Sequence, residues 1–104
     1  MHYISTRGQA PVLTFEDAML CGLARDGGLY VPDQVPVMPA GDIAALAGLS
    51  YEEVAFRVMR PFVDDAFSDE DFGDIIGRAY AGFSQAARAP LVQIGANLFL
   101  LKMF

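Results

Sequence analysis

A chain of 104 residues, 54% hydrophobic and only 19% charged, is long enough to build one core without disulfides or a metal, and apolar enough that part of its surface is expected to face a partner. Its formal charge of -6, with no concentration of Lys or Arg, excludes phosphate-backbone recognition, so nucleic acid is not an expected ligand. One cysteine, Cys21, excludes an internal disulfide, the polar opening Met1 to Gln9 is unlike a signal peptide, and the longest strongly apolar run, Leu98 to Leu101, falls far short of the roughly 20 residues of a membrane span; a soluble cytoplasmic protein is expected, with no membrane partner.

In chain order, His2 to Ser5 reads as a short strand, broken by Arg7 to Pro11. A helix follows, with Thr14 as N-cap and Asp17 three residues on. Phe15, Ala18, Met19, Gly22 and Leu23 form one face, which is expected to be buried, and the helix is expected to end near Ala24. Asp26-Gly27-Gly28 predicts a turn, and Leu29 to Val31 a brief extended segment closed by Pro32. Pro36 and Pro39 predict a connection rather than a helix between Asp33 and Gly41, and Asp42 to Ala47 a short helix.

Two stronger helix signals come next. Ser50 with Glu53 fits a capping box, and Tyr51, Val54, Ala55, Val58, Met59 and Phe62 keep helical spacing until Pro61, which should kink or end the helix. Ser68 with Asp71 repeats the cap, ahead of Phe72, Ile75, Ile76, Ala79, Tyr80 and Phe83, with acids in the first turn where the helix dipole favours them. Leu91 to Ile94, the turn residues Gly95-Ala96-Asn97 and the apolar run Leu98 to Phe104 together predict a hairpin. The expected fold is α+β, a small β-sheet with three or four helices, in one domain over residues 1–104.

Tyr3-Ile4-Ser5-Thr6-Arg7-Gly8, Thr14 to Ala18, Gly22-Leu23-Ala24, Asp26-Gly27-Gly28-Leu29-Tyr30-Val31-Pro32 and Leu49 to Ala55, in this order and spacing, resemble the N-terminal domain of the threonine synthase family. The resemblance implies a pyridoxal-phosphate (PLP) enzyme of fold type II, the tryptophan-synthase-like class. That enzyme is a lyase of threonine biosynthesis, converting O-phosphohomoserine and water to threonine and phosphate, with the cofactor acting as electron sink. In the family, the strand that resembles Leu98 to Phe104 runs into His-Gly-Pro-Thr and then the Ala-Phe-Lys-Asp that holds PLP, whereas this sequence reads Lys102-Met103-Phe104 where Glu-Leu-Phe is usual and stops there. The resemblance therefore implies that PLP belongs to the full-length enzyme and not to this chain, that the partner is a catalytic domain of the same polypeptide, and that the chain alone is inert.

The residues themselves offer no competing chemistry. Lys102, the only lysine, ends a strand and has no Gly-rich phosphate cradle, so no catalytic or cofactor-binding residue is assigned. Nothing brings His2 to Cys21, which reads as a core cysteine, and neither is assigned to a metal. The acids Asp64, Asp65, Asp69, Glu70, Asp71 and Asp74 read as the solvated start of a helix, because a calcium loop begun at Asp69 would need glycine where Asp74 stands. Two segments stand out as a candidate domain-interface or substrate-proximal site: Ser5, Thr6 and Arg7, and Arg25, Asp26, Gly27, Gly28 and Tyr30. The glycines permit close approach of another surface, and Arg7 or Arg25 suits a carboxylate or phosphate across it; a tight turn with solvated arginines is the plainer reading. Beside the biosynthetic lyase stand two alternatives: a stand-alone binding or regulatory module, and part of a threonine-synthase-like phospholyase acting on a related amino-alcohol phosphate.

Overall fold

The computed structural model describes residues 1–83 and 88–103. Strand β1 (Tyr3–Ser5) pairs antiparallel with β2 (Tyr30–Pro32), Ile4 opposite Val31, and its first residue also bridges Leu13. Between them lies α1 (Phe15–Cys21). The chain continues through α2 (Ala40–Ala44), α3 (Tyr51–Val63), a single 3-10 turn at Asp64–Ala66, and α4 (Asp69–Tyr80). Strands β3 (Leu91–Gly95) and β4 (Leu98–Leu101) form an antiparallel hairpin. The α+β class and the four helices agree with expectation. The small sheet, however, is two separate two-stranded sheets, because β1 takes only an isolated bridge on its second edge.

The three caps are built as the sequence predicts. The Thr14, Ser50 and Ser68 hydroxyls accept from the N–H groups of Asp17, Glu53 and Asp71 at 3.2, 3.2 and 3.1 Å, and Glu53 reaches back to the Ser50 N–H at 2.8 Å. Ser50→Ala removes the hydroxyl that accepts the Glu53 N–H and donates to the Glu53 carboxylate, leaving only the backbone half of the α3 box, and we expect a loss of about 1 kcal/mol, read as a lower urea midpoint at unchanged m-value. An unchanged midpoint would mean that tertiary contacts alone hold the start of α3.

Three helices differ from expectation at their ends. Helix α2 spans Ala40–Ala44 rather than Asp42 to Ala47, starting directly after Pro39, whose fixed φ suits a helix start, and reaching into the segment expected to be a connection. Helix α1 stops at Cys21, not near Ala24, because Gly22 turns to φ 72° and gives its N–H to the Ala18 carbonyl. The expected apolar face is therefore cut short. Ala18 is buried and Phe15 half-buried, but Met19 and Leu23 are 53% and 67% exposed, and Leu23 lies beyond the helix in a bridge to Leu29. Helix α3 runs two residues past Pro61, which lacks the N–H to continue the ladder, and ends where Asp64 takes φ 50°.

The core lies between α3 and α4, where Ala55, Val63, Phe72 and Ile76 are buried against Phe15, Phe56, Phe67 and Tyr80. On α3 the outer part of the predicted stripe, Tyr51, Val58 and Met59, stays exposed. Aromatic contacts tie β1 to this core: Tyr3 meets Phe15 edge-on at 5.9 Å, Phe15 meets Phe67 at 6.2 Å, and Phe67 stacks on Phe72 at 6.2 Å. The Tyr3 hydroxyl adds a hydrogen bond to the Phe62 carbonyl at 2.8 Å. That lattice fixes where the end of β1 sits.

Candidate functional site

Pairing of β1 with β2 brings Ser5 beside the turn that follows α1. There the Asp26 carboxylate accepts from the Ser5 hydroxyl, whose oxygen is 2.8 Å from both carboxylate oxygens, and from the N–H groups of Gln9 and Gly28 at 2.9 Å each. Partial burial pushes this carboxyl up, but the hydrogen bonds from Gly28, Ser5 and Gln9 outweigh it and hold the group below the usual carboxylate range. Ser5 is itself buried, and its oxygen accepts from the Arg7 N–H at 3.2 Å. Thr6 pairs with Leu29 twice, its N–H donating to the Leu29 carbonyl at 2.9 Å and its hydroxyl accepting the Leu29 N–H at 3.0 Å.

The two glycines serve different ends. Gly27 holds φ 78°, which a side chain disfavours, and packs beneath the Arg7 guanidinium, whose Nη1 donates to the Asp26 carbonyl at 3.1 Å. Gly28 is the point of close approach: a Cβ there would lie 2.3 Å from Ser5 Oγ and 3.1 Å from Thr6 Oγ1. Tyr30, on β2, donates its hydroxyl to the Pro11 carbonyl at 3.2 Å, and burial followed by the neighbouring Cys21 and Asp26 pushes its ionisation up.

Seven of the eight residues singled out in the sequence thus form one interlocked node. The eighth, Arg25, is exposed and has no hydrogen bond or ion pair among the described residues. The N–H of Gln9 and the carbonyl of Pro11 belong to the node and carry no side-chain signal. The signal that was available is the Asp-x-Gly turn, in which an aspartate caps the N–H two residues on.

Chemically the node is a clamp. A carboxylate already filled by three donors and held below its usual range is a poor base for activating Ser5, and no imidazole stands beside it. Being lower folded than unfolded, the Asp26 carboxyl adds stability that is intact above about pH 4 and lost as pH falls through its folded value. We expect the melting-temperature gap between wild type and Asp26→Asn to be widest near neutrality and to close in acid. A gap independent of pH would remove the charge from the account.

The remaining candidates fall as follows. Cys21 is exposed, its thiol 3.3 Å from the Leu23 carbonyl, so the core reading is corrected: α1 ends at that residue and nothing covers it. Among the described residues no group of three or more His, Cys, Asp and Glu is placed to hold a metal. In the acidic run, Asp64 pairs with the Met1 amino group, Asp69 with Arg60 Nε at 2.8 Å, and Asp71 with its cap Ser68. An apolar groove of about 650 Å³ lies where Val37, Met38 and Ile43 face Phe56 and Pro61, with Arg57 at its side. No helix among the described residues is long and apolar enough to cross a membrane.

Residues 2–80 match the family model described as Threonine synthase N terminus. Threonine synthase of Pseudomonas aeruginosa is 53% identical over 104 residues, which is all of this chain and 22% of that protein. The structure of PLP-bound threonine synthase from Brucella melitensis superposes with a TM-score of 0.87 at 51% identity, covering 97% of this chain and 22% of that one. Threonine synthase from yeast superposes with a TM-score of 0.80 at 35% identity, covering 89% of this chain and 19% of that one. The chain thus spans about a fifth of the length of the relatives it matches.

Proposed function

We propose, from the premise that this chain belongs to the threonine synthase family through its N-terminal region, that it serves as the N-terminal segment of a PLP-dependent lyase forming threonine and phosphate from O-phosphohomoserine and water. The observation that carries the reading is 53% identity along the whole chain. A cytoplasmic setting is part of the proposal, since an exposed and unpaired Cys21 suits a reducing compartment.

The residues of this chain do not fit the cofactor. Lys102 is exposed beyond β4, its N–H bonded to the Pro90 carbonyl, and the glycine of the hairpin, Gly95, is at the opposite end of the strand. Among the described residues no glycine adjoins Lys102 in sequence to form a phosphate cradle of successive backbone N–H groups. We therefore assign this chain placement and no chemical step. The Ser5–Asp26–Gly28 clamp sets the shape of a turn from which Arg7 and Arg25 project, and these guanidiniums suit a carboxylate or phosphate on the surface they meet.

The test compares this chain with a polypeptide of the relatives' length that carries it. The chain alone should neither turn over O-phosphohomoserine nor acquire PLP absorbance, and the long polypeptide should do both. Borohydride trapping of cofactor on Lys102 of the short chain would overturn the assignment. In the long polypeptide, Arg25→Ala should lower kcat a few-fold at unchanged PLP absorbance. Loss of that absorbance would move Arg25 to the cofactor, and an unchanged rate would leave it a solvated surface residue.

A further inference from the structure

Burial ends at Pro90. Every described residue from Leu91 to Met103 is exposed, so no packed face fixes the β3–β4 hairpin against the helices; Phe104, at the end of the same apolar run, lies outside the described residues. Two strands alone are marginal in water and set no direction relative to the rest of the chain. That direction is decided in the short stretch before β3, where Arg88, Ala89 and Pro90 are half-buried.

Arg88 is the anchored residue of this stretch. Its side chain, 17% exposed, spans two points on the helical core: Nη2 donates to Glu52 Oε1 at 2.8 Å and Nη1 to the Phe83 carbonyl at 2.9 Å. Glu52 lies in the first turn of α3, and Phe83 three residues beyond the end of α4. Rings join those two ends, Tyr51 meeting Tyr80 edge-on at 4.9 Å and Tyr80 meeting Phe83 at 5.4 Å, so the acceptors are held in place. The ion pair is charge-assisted and partly buried, which makes it stronger than a solvated surface pair. The hydrogen bond from Arg88 is the main reason the Glu52 carboxyl lies below the usual carboxylate range. The same grip holds the Arg88 backbone at φ 53°, a left-handed bend that a side chain disfavours.

From that bend the chain runs stiffly into the hairpin. Pro90 has a fixed φ and restricts Ala89 before it, and its carbonyl accepts the Lys102 N–H at 3.0 Å, extending the ladder beyond the pair Leu91 and Leu101. A rotation at Arg88 is therefore carried through two restricted residues to both strands. We infer that Arg88 is an ionic latch at a hinge: its hold on Glu52 and on the Phe83 carbonyl, rather than packing, sets the direction in which the hairpin leaves the α3–α4 core. Released from these acceptors, residue 88 returns to negative φ and the hairpin swings as one piece. Neither the latch nor its readout depends on the threonine synthase reading.

A distance measurement in the 104-residue chain tests this. In a Cys21→Ser background, spin labels on cysteines introduced at Asp74 in α4 and Leu100 in β4 should give one narrow distance distribution by pulsed electron paramagnetic resonance. Glu52→Gln and Arg88→Gln should each widen it roughly two-fold, since a second backbone well opens at residue 88. Labels at Asp74 and Arg57, both on the helices of the core, should give the same width in all three proteins. A distribution between residues 74 and 100 that is already broad with the ion pair intact would overturn the latch, as would one that neither substitution widens. Equal widening between residues 57 and 74 would overturn it too, by making Arg88 a support of the α3–α4 seam instead of the hairpin's direction.

Discussion

Gly28→Ala should destabilise the chain by about 3 kcal/mol, since the added carbon overfills a closed site and disturbs hydrogen bonds that leave buried polar groups unmet when broken. The new Cβ would sit 2.3 Å from Ser5 Oγ, and that oxygen is fixed, buried and bonded to both Asp26 oxygens. Moving it aside also releases the Arg7 N–H that it accepts. For a domain of this size the loss corresponds to a fall of roughly 15 °C in melting temperature. Two neighbouring glycines are the controls. Gly8→Ala meets no atom within 4 Å and tests φ 70° alone, for about 1 kcal/mol. Gly27→Ala combines φ 78° with a contact to the Arg7 guanidinium at 3.0 Å, the mobile end of an exposed side chain, and should cost about 1 to 2 kcal/mol. Equal losses at residues 8 and 28 would show that backbone conformation matters at this turn and close approach does not.

This ranking separates what the sequence discloses from what it hides. The Gly-Gly pair announces a turn, but a freedom in φ at Gly28 is the wrong reason for it: positive φ belongs to Gly27, and Gly28 is small because residue 5, far away in sequence, lies against it. Helix starts were legible because a cap is local, a hydroxyl reaching an N–H three residues on, as at Ser50 and Ser68. The inward role of Asp26 was not, since two of its three donors, Ser5 and Gln9, arrive only after β1 pairs with β2. Apolar periodicity likewise finds a stripe without saying what meets it. Phe72 and Ile76 are buried by α3, while Met19 and Val58 lie on equally regular stripes and remain in solvent.

Phe72→Ala is expected to have the largest effect, about 3 to 5 kcal/mol. The side chain is 3% exposed between α3 and α4, and truncation leaves a cavity where Phe67 stacks at 6.2 Å and Phe56 tilts at 5.4 Å. Each lost ring pair adds about 0.5 to 1.5 kcal/mol to the transfer cost, and among the described residues no large side chain is more than 98% buried to share the load. Ile75→Ala, on the same helix and 36% exposed, should cost much less. Because Phe67 touches Phe15 and Phe15 touches Tyr3, the cavity opens at one end of the contacts that hold β1. Hydrogen exchange at the Gly28 amide, which is bonded to Asp26, should therefore quicken in Phe72→Ala although the two residues share no contact. Unchanged protection at Gly28 would make the node and the helical core independent folding units, and equal losses at positions 72 and 75 would mean that the α3–α4 seam is not the core.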